Sequence, residues 1–328
     1  MKAAVYRRYG PPDVVQVEDV PTPTAKANEV LVRVHASTVS SGDTRIRGLR
    51  MPAGFGPLAR PIFGVFGPRQ PILGTELAGV VVALGASVTR FQVGDAVFAF
   101  PGIGMRCHAE YRAVAADGCI DRIPTGFTMA EAAALCFGGT IALYALRDAA
   151  AVQPGERVLV IGASGTVGSA AVQLAKHLGA HVTGVASAAN VDLVRGLGAD
   201  AVIDYRATSP FSAGETYDVI VDAVGAVDYE SARASLSQRG RLLLLVANLG
   251  QLITTGFVAR GSTHRVIAGS APERPDDVRT LRALAEAGHF KPLIDSCVPL
   301  ADIAAAHARV DSGRKRGSVV VMMEQAAA

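Results

Sequence analysis

The chain has 328 residues, enough for two domains at roughly 150 residues each. Half of it is hydrophobic, 19% is charged and 35 residues are glycine, which excludes a disordered chain and a disulfide-scaffolded miniprotein. The 32 basic and 29 acidic residues leave a formal net charge of +3, and apart from Arg314, Lys315 and Arg316 the basic residues are scattered, so nucleic acid is not an expected partner.

From residue 2 to about 123, short β-rich runs alternate with turn residues: 3–6, 14–17, 30–35, 78–84 and 96–100. They predict an antiparallel, barrel-like half. Helical periodicity begins after Pro124, with Thr128 as N-cap and Glu131 as its capping-box partner. Strand and helix then alternate, with strands expected at 157–161, 181–186, 201–203, 219–221 and 242–246, the pattern of a parallel sheet covered by helices on both faces. Two amphipathic helices, 276–288 and 300–310, and a closing strand, 318–322, complete the chain. The expected organisation is a discontinuous first domain, 1–126 and 272–328, around an inserted α/β domain, 127–271. Charge-free stretches at 158–175 and 242–259 reach the lower limit for a spanning helix, but their glycines and polar residues make each a buried strand followed by a turn, and no stable membrane insertion is expected. Cys107, Cys119, Cys136 and Cys297 form no CxxC pair, and the N-terminus is not signal-like, so a reducing, cytoplasmic setting without disulfides is expected.

The strongest chemical signal lies at 157–176, where an apolar strand runs into Gly162-Ala163-Ser164-Gly165-Thr166-Val167-Gly168 and then into a helix. This is the setting of a dinucleotide fingerprint, with Ala163 in place of its first glycine. Gly165 lets backbone amides approach a pyrophosphate, Gly168 permits close helix-to-strand packing, and the helix N-terminus offers partial positive charge. The next strand ends in Ser187-Ala188-Ala189-Asn190, with no carboxylate to hold a ribose 2′-hydroxyl. Ser187, Asn190 and, after the third strand, Tyr205 can donate to a 2′-phosphate, so NADP(H) is the expected cofactor, although no basic residue accompanies them at the strand end. Asn190 also fits a simple helix cap.

These segments resemble the medium-chain dehydrogenase/reductases, specifically their zinc-free, quinone-oxidoreductase-like branch. The likeness runs through the N-terminal MKAAVYRRYGPPDVV, Val39-Ser40-Ser41-Gly42-Asp43, the stretch from Pro71 to Gly79, Phe91-Gln92-Val93-Gly94-Asp95, Phe137-Gly138-Gly139-Thr140, the glycine-rich loop, Val202-Ile203-Asp204-Tyr205, Asp222-Ala223-Val224-Gly225 and the stretch from Gly313 to Gly317. It implies a GroES-like β-rich catalytic domain joined to a Rossmann doubly wound parallel sheet. It also implies cofactor contacts at Thr140, Ser164, Gly165, Thr166, Val167, Ala223 and Val246, catalytic-site positions at Ser40 and Asp43, and a homodimer as candidate assembly. Asp43 equally fits a brace for its loop.

Zinc-dependent relatives need a thiolate in the early loop and a His-Glu pair further on, where this chain has Ser40, Ser41 and Thr75-Glu76, so no metal is expected. Without a Lewis acid, the implied reaction is hydride delivery to an activated C=C or a quinone, with a small hydrophobic quinone or enone as partner. The alternatives are a low-turnover NADPH-binding redox sensor or accessory protein, and a zinc-free alcohol or aldehyde reductase. Residues 51–71 carry five prolines, four glycines and three phenylalanines and are expected to form a long loop, not a helix. Phe55, Phe63 and Phe66, with Leu58 and Ile62, would give a substrate lid its apolar surface, or else fill satellite core beneath it, with weak association with a membrane surface as a third reading.

Overall fold

The computed structural model of the chain describes residues 1–211, 214–258, 260–269 and 271–324. It divides into two units: Met1–Met51, Gly56–Phe137 and Glu273–Ala328 in the first, Pro52–Phe55 and Gly138–Pro272 in the second.

The first unit opens with the hairpin of β1 (Lys2–Tyr6) and β2 (Val15–Asp19), followed by β3 (Glu29–Val39), α1 (Ser41–Gly48) and α2 (Gly56–Phe63). Next come β4 (Leu77–Leu84), β5 (Ala96–Ala99), β6 (Tyr111–Ala115), β7 (Ile120–Arg122), α3 (Met129–Ala133) and α4 (Cys136–Leu143), whose residues from Gly138 onward belong to the second unit. In β3 the alternation Val30, Val32, Val34 faces the core with no exposure while Arg33 points outward. This strand organises the sheet, running antiparallel to β4 along its length and to β6 over Glu29–Arg33. Thr128 caps α3 with the Glu131 capping box expected of it. Because α3 packs on β3 and β4 and buries Ala132 and Ala133, the unit boundary falls inside α4 and not at residue 126.

Residues 51–71 correct the expected loop: α2 is a two-turn helix. Pro57 sits in its first turn, where the missing N–H has no helical acceptor, and Pro61 removes a single helical hydrogen bond.

The second unit contains β8 (Arg157–Ile161), α5 (Thr166–His177), β9 (His181–Ala186), α6 (Val191–Gly196), β10 (Ala201–Asp204), β11 (Tyr217–Asp222), α7 (Tyr229–Ala232), β12 (Leu236–Leu244), α8 (Leu249–Val258) and β13 (Arg265–Ala268). The sheet is wholly parallel in the order β10-β9-β8-β11-β12-β13, a doubly wound arrangement that reverses direction between β8 and β11. Its core is aliphatic, with Leu159, Ile220 and Leu242 fully buried.

Two expectations change here. β12 starts earlier, at Leu236, and stops at Leu244. The turn expected after it is the helix α8. Asn248 and Gln251 exchange reciprocal side-chain-to-backbone bonds at its start, and the Thr254 and Thr255 hydroxyls donate back to Gly250 O and Gln251 O.

The chain then returns to the first unit with α9 (Pro275–Glu286), β14 (Ile294–Pro299), α10 (Ile303–Asp311) and β15 (Ser318–Met322). β15 pairs antiparallel with Ala36–Val39 of β3, which extends that strand beyond the expected residue 35. On α10 the fully buried His307 meets His108 edge to face, with ring centroids 5.9 Å apart, and neither ring nitrogen of His307 has a protein partner.

Candidate active site

In the second unit the glycine-rich loop leaves β8 at Gly162, whose φ of +79° requires glycine. Gly168 packs so closely that a Cβ there would lie 2.1 Å from Gly162 O, whereas a Cβ on Gly165 would meet nothing nearer than Gly162 O at 3.4 Å. Gly168 therefore serves the fold, and Gly165 keeps open the space in front of the helix. Gly165 is also the N-cap of α5 and supplies no side-chain bond, so the positive end of the helix dipole points at the loop without a side-chain cap. Backbone of Thr166 is approached by α4 at Gly138, where a Cβ would sit 2.6 Å from Thr166 O, and Thr140 follows on the same helix, 4% exposed.

The loops after β8, β9, β10, β11 and β12 gather at the carboxyl edge of the sheet. Ala223 N donates to Ile161 O and Tyr205 N to Ala186 O, so Ala223 lies beside the glycine-rich loop and Tyr205 beside Ser187. Buried Asp222 accepts from the amides of Val224, Gly225 and Val227 at 2.9–3.0 Å, and these bonds fold the loop that carries Ala223. Burial raises the Asp222 carboxyl above its ordinary range while those amides oppose the rise. Val246 lies against Gly225. Asn190 does not cap α6. Its Nδ2 instead donates to Ser164 Oγ at 3.1 Å, leaving Oδ1 buried and unpartnered. Ser187 likewise makes no capping bond.

Arg206 is a basic residue that the sequence reading did not single out. It follows Tyr205, with its guanidinium 5.8 Å from that ring's centroid, two residues beyond the end of β10. The uncapped α5, the space kept by Gly165 and the orphaned Asn190 Oδ1 fit a dinucleotide.

In the first unit Ser40 and Asp43 form the capping box of α1. Asp43 Oδ2 accepts from Ser40 N at 2.8 Å and Ser40 Oγ at 2.6 Å, and Oδ1 accepts from Gly74 N at 2.9 Å. With its oxygens engaged by neighbours and no exposure to solvent, Asp43 braces the loop. Glu76, equally buried, accepts from Thr38 Oγ1 at 2.5 Å and from Phe137 N at 2.6 Å, and burial pushes its carboxyl up to about 7. Glu76 thus fixes the start of α4. The positions that hold zinc in metal-dependent relatives offer the Ser40 and Thr75 hydroxyls and an already bonded Glu76, a donor set that does not fit the metal.

Residues 26–157 match the family described as "Alcohol dehydrogenase GroES-like domain" and residues 197–321 the family described as "Zinc-binding dehydrogenase". The chain is 31% identical over 334 residues to a chloroplast envelope quinone oxidoreductase homolog of Arabidopsis thaliana, covering 98% of each. It belongs to the quinone-oxidoreductase-like medium-chain dehydrogenase/reductases. Another relative in this family, the NADPH-dependent alkenal/one oxidoreductase of A. thaliana, is 30% identical, covering 98% of this chain and 79% of that one. The quinone oxidoreductase of Coxiella burnetii superposes with a TM-score of 0.87 at 27% identity, covering 99% of both chains. The chain is accordingly a nicotinamide-cofactor oxidoreductase with a GroES-like unit and a Rossmann unit.

Proposed function

We propose that the protein is an NADPH-dependent, zinc-independent oxidoreductase that reduces a quinone or an α,β-unsaturated carbonyl. The observation that carries this reading is the pairing of a dinucleotide loop with hydroxyl side chains, Ser40 and Thr75, at the positions where metal-dependent relatives place zinc ligands. The relatives named for quinone and alkenal/one reduction support it.

When bound, the nicotinamide supplies a hydride. Ser164 and the amides of Gly165, Thr166 and Val167 hold the pyrophosphate, while Ser187, Asn190, Tyr205 and Arg206 surround the 2′-phosphate. Ala223, Val246 and the Thr140 hydroxyl position the nicotinamide half. A conjugated acceptor spreads the incoming charge over its own π-system, so no Lewis acid is needed. The Ser40 proton is committed to Asp43 Oδ2, and the proton that completes reduction is assigned to water. Phe55 and Phe63 are half-buried, whereas Phe66 is fully exposed.

Steady-state NADPH oxidation with a panel of quinones and enones tests the assignment, with turnover expected on conjugated acceptors and none on simple alcohols. Tight NADPH binding without turnover on any acceptor would replace the enzyme with a binding protein.

A further inference from the structure

Helix α2 is apolar on two sides, and only one of them is used by the fold. Ala59 (3% exposed) and the half-buried Phe63 face inward, one turn apart. Leu58 and Ile62, also one turn apart, are 49% and 58% exposed. The turn that follows extends this outer stripe with Val65 and Phe66, the latter 105% exposed. Gly64 has a φ of +130°, and a Cβ there would lie 1.9 Å from Gly67 O, so the turn is as tight as glycine allows. Tyr9 Oη pins it from below by donating to Gly64 O at 2.9 Å. Phe66 is therefore held outward by a fixed turn.

The charge carried by this segment has one sign: no acidic residue occurs between Asp43 and Glu76, an interval that holds five arginines, of which Arg47 and Arg50 are ion-paired with Asp311. Arg60 Nη1 donates to Val65 O and Arg69 Nη1 to Ile62 O, while Arg106 Nε donates to Gln70 Oε1. These guanidinium groups meet neutral oxygens, and their positive charge is left uncompensated.

We propose that the outer face of α2 and its following turn, Leu58, Ile62, Val65 and Phe66 flanked by Arg60 and Arg69, docks the protein on an anionic lipid surface. An exposed apolar wedge within a cationic rim matches the acyl boundary and headgroups of such a surface. A second copy meeting this face across a two-fold axis would bring the same uncompensated arginines together, which disfavours self-association. Eight residues are far too few to cross a bilayer, and among the described residues no helix is long and apolar enough to do so, so the contact is peripheral. The inference stands apart from the hydride acceptor, and its test uses none.

Co-sedimentation of the full chain with vesicles of phosphatidylcholine, with or without about a third of phosphatidylglycerol, reads the contact directly. Binding is expected on the anionic vesicles, weakened by salt, with a drop of about fivefold for each arginine reversed in Arg60→Glu and Arg69→Glu. Ile62→Ser/Phe66→Ser should lose about tenfold or more, with an unchanged melting temperature as the folding control. The chain has no tryptophan, so Phe66→Trp supplies a single tryptophan whose emission, excited apart from tyrosine, should shift to the blue on anionic vesicles alone. The proposal is overturned by absent vesicle binding, by binding that the variants leave unchanged, by a Phe66→Trp emission that does not move, or by a wild-type dimer that Ile62→Ser/Phe66→Ser converts to monomer without any lipid contact.

Discussion

Ser187→Asp places a carboxylate where the 2′-phosphate is proposed to lie, and it should weaken NADPH by about tenfold or more, roughly 1.4 kcal/mol, while sparing NADH. Arg206→Ala should remove a charge-assisted contact and shift the same ratio in the same direction. Titration of both cofactors against each variant checks the pair, and equal losses for NADPH and NADH would move the phosphate elsewhere. The two loop glycines separate fold from ligand. Gly168→Ala drives a Cβ to 2.1 Å from Gly162 O and should cost roughly 2–4 kcal/mol of stability. Gly165→Ala meets only a 3.4 Å contact and should change the melting temperature little while weakening NADPH severely. The role of Gly168 was legible in the sequence because it is a steric rule of the motif. The role of Arg206 was not, because the residue is brought to the end of β9 only by the pairing of β9 with β10. A chelator should leave activity intact, measured as NADPH oxidation before and after treatment, since Ser40 and Thr75 provide no thiolate or imidazole.

Among the elements, strands with β-branched alternation and the Thr128 cap were readable from residue type alone, because their determinants lie within a few residues of one another. The misread elements have determinants that compete. Around α8, Asn248, Thr254 and Thr255 look like turn residues, and the reciprocal Asn248–Gln251 bonds convert them to a helix start and its satisfied hydroxyls. In α2, two prolines outweighed an i,i+4 apolar pattern that they did not in fact break. Helix α10 gives a pH prediction. Burial, with His108 and Arg47 nearby, holds His307 neutral well below its ordinary range. The unfolded chain takes up a proton that the folded one refuses, so the contribution of His307 is present above pH about 6.5 and is lost as the pH falls. Glu76 acts in the opposite sense. Its carboxyl stays protonated in the fold up to about 7, so its contribution declines as the pH rises from about 4.5 toward that value. Melting temperatures of wild type and His307→Leu between pH 5 and 8 isolate the histidine. The variant should lose less stability on acidification, and parallel profiles would remove His307 from the account.

At the scale of the molecule, each unit has its own core, and the proposed cofactor contacts draw only on residues of the second. Saturating NADPH at about a hundred times its Kd should therefore add about 2.7 kcal/mol to that unit's stability. Calorimetry should show the transition of residues 138–272 rising with NADPH, and a cofactor that moved only the other transition would misplace the site. The parallel order β10-β9-β8-β11-β12-β13 was legible through its strand-helix alternation. The division inside α4 was not, because it depends on where Glu76 and α3 attach the chain. The pairing of β15 with Ala36–Val39 also has a consequence for synthesis on the ribosome. The edge of β3 just before Ser40 stays unpaired while the entire inserted unit is being made, and it is closed only by a segment synthesised after that unit. Vectorial synthesis therefore lets the Rossmann unit finish before its host does. A chain interrupted before β15 carries an open strand edge at Ala36–Val39, a template for pairing with other nascent chains.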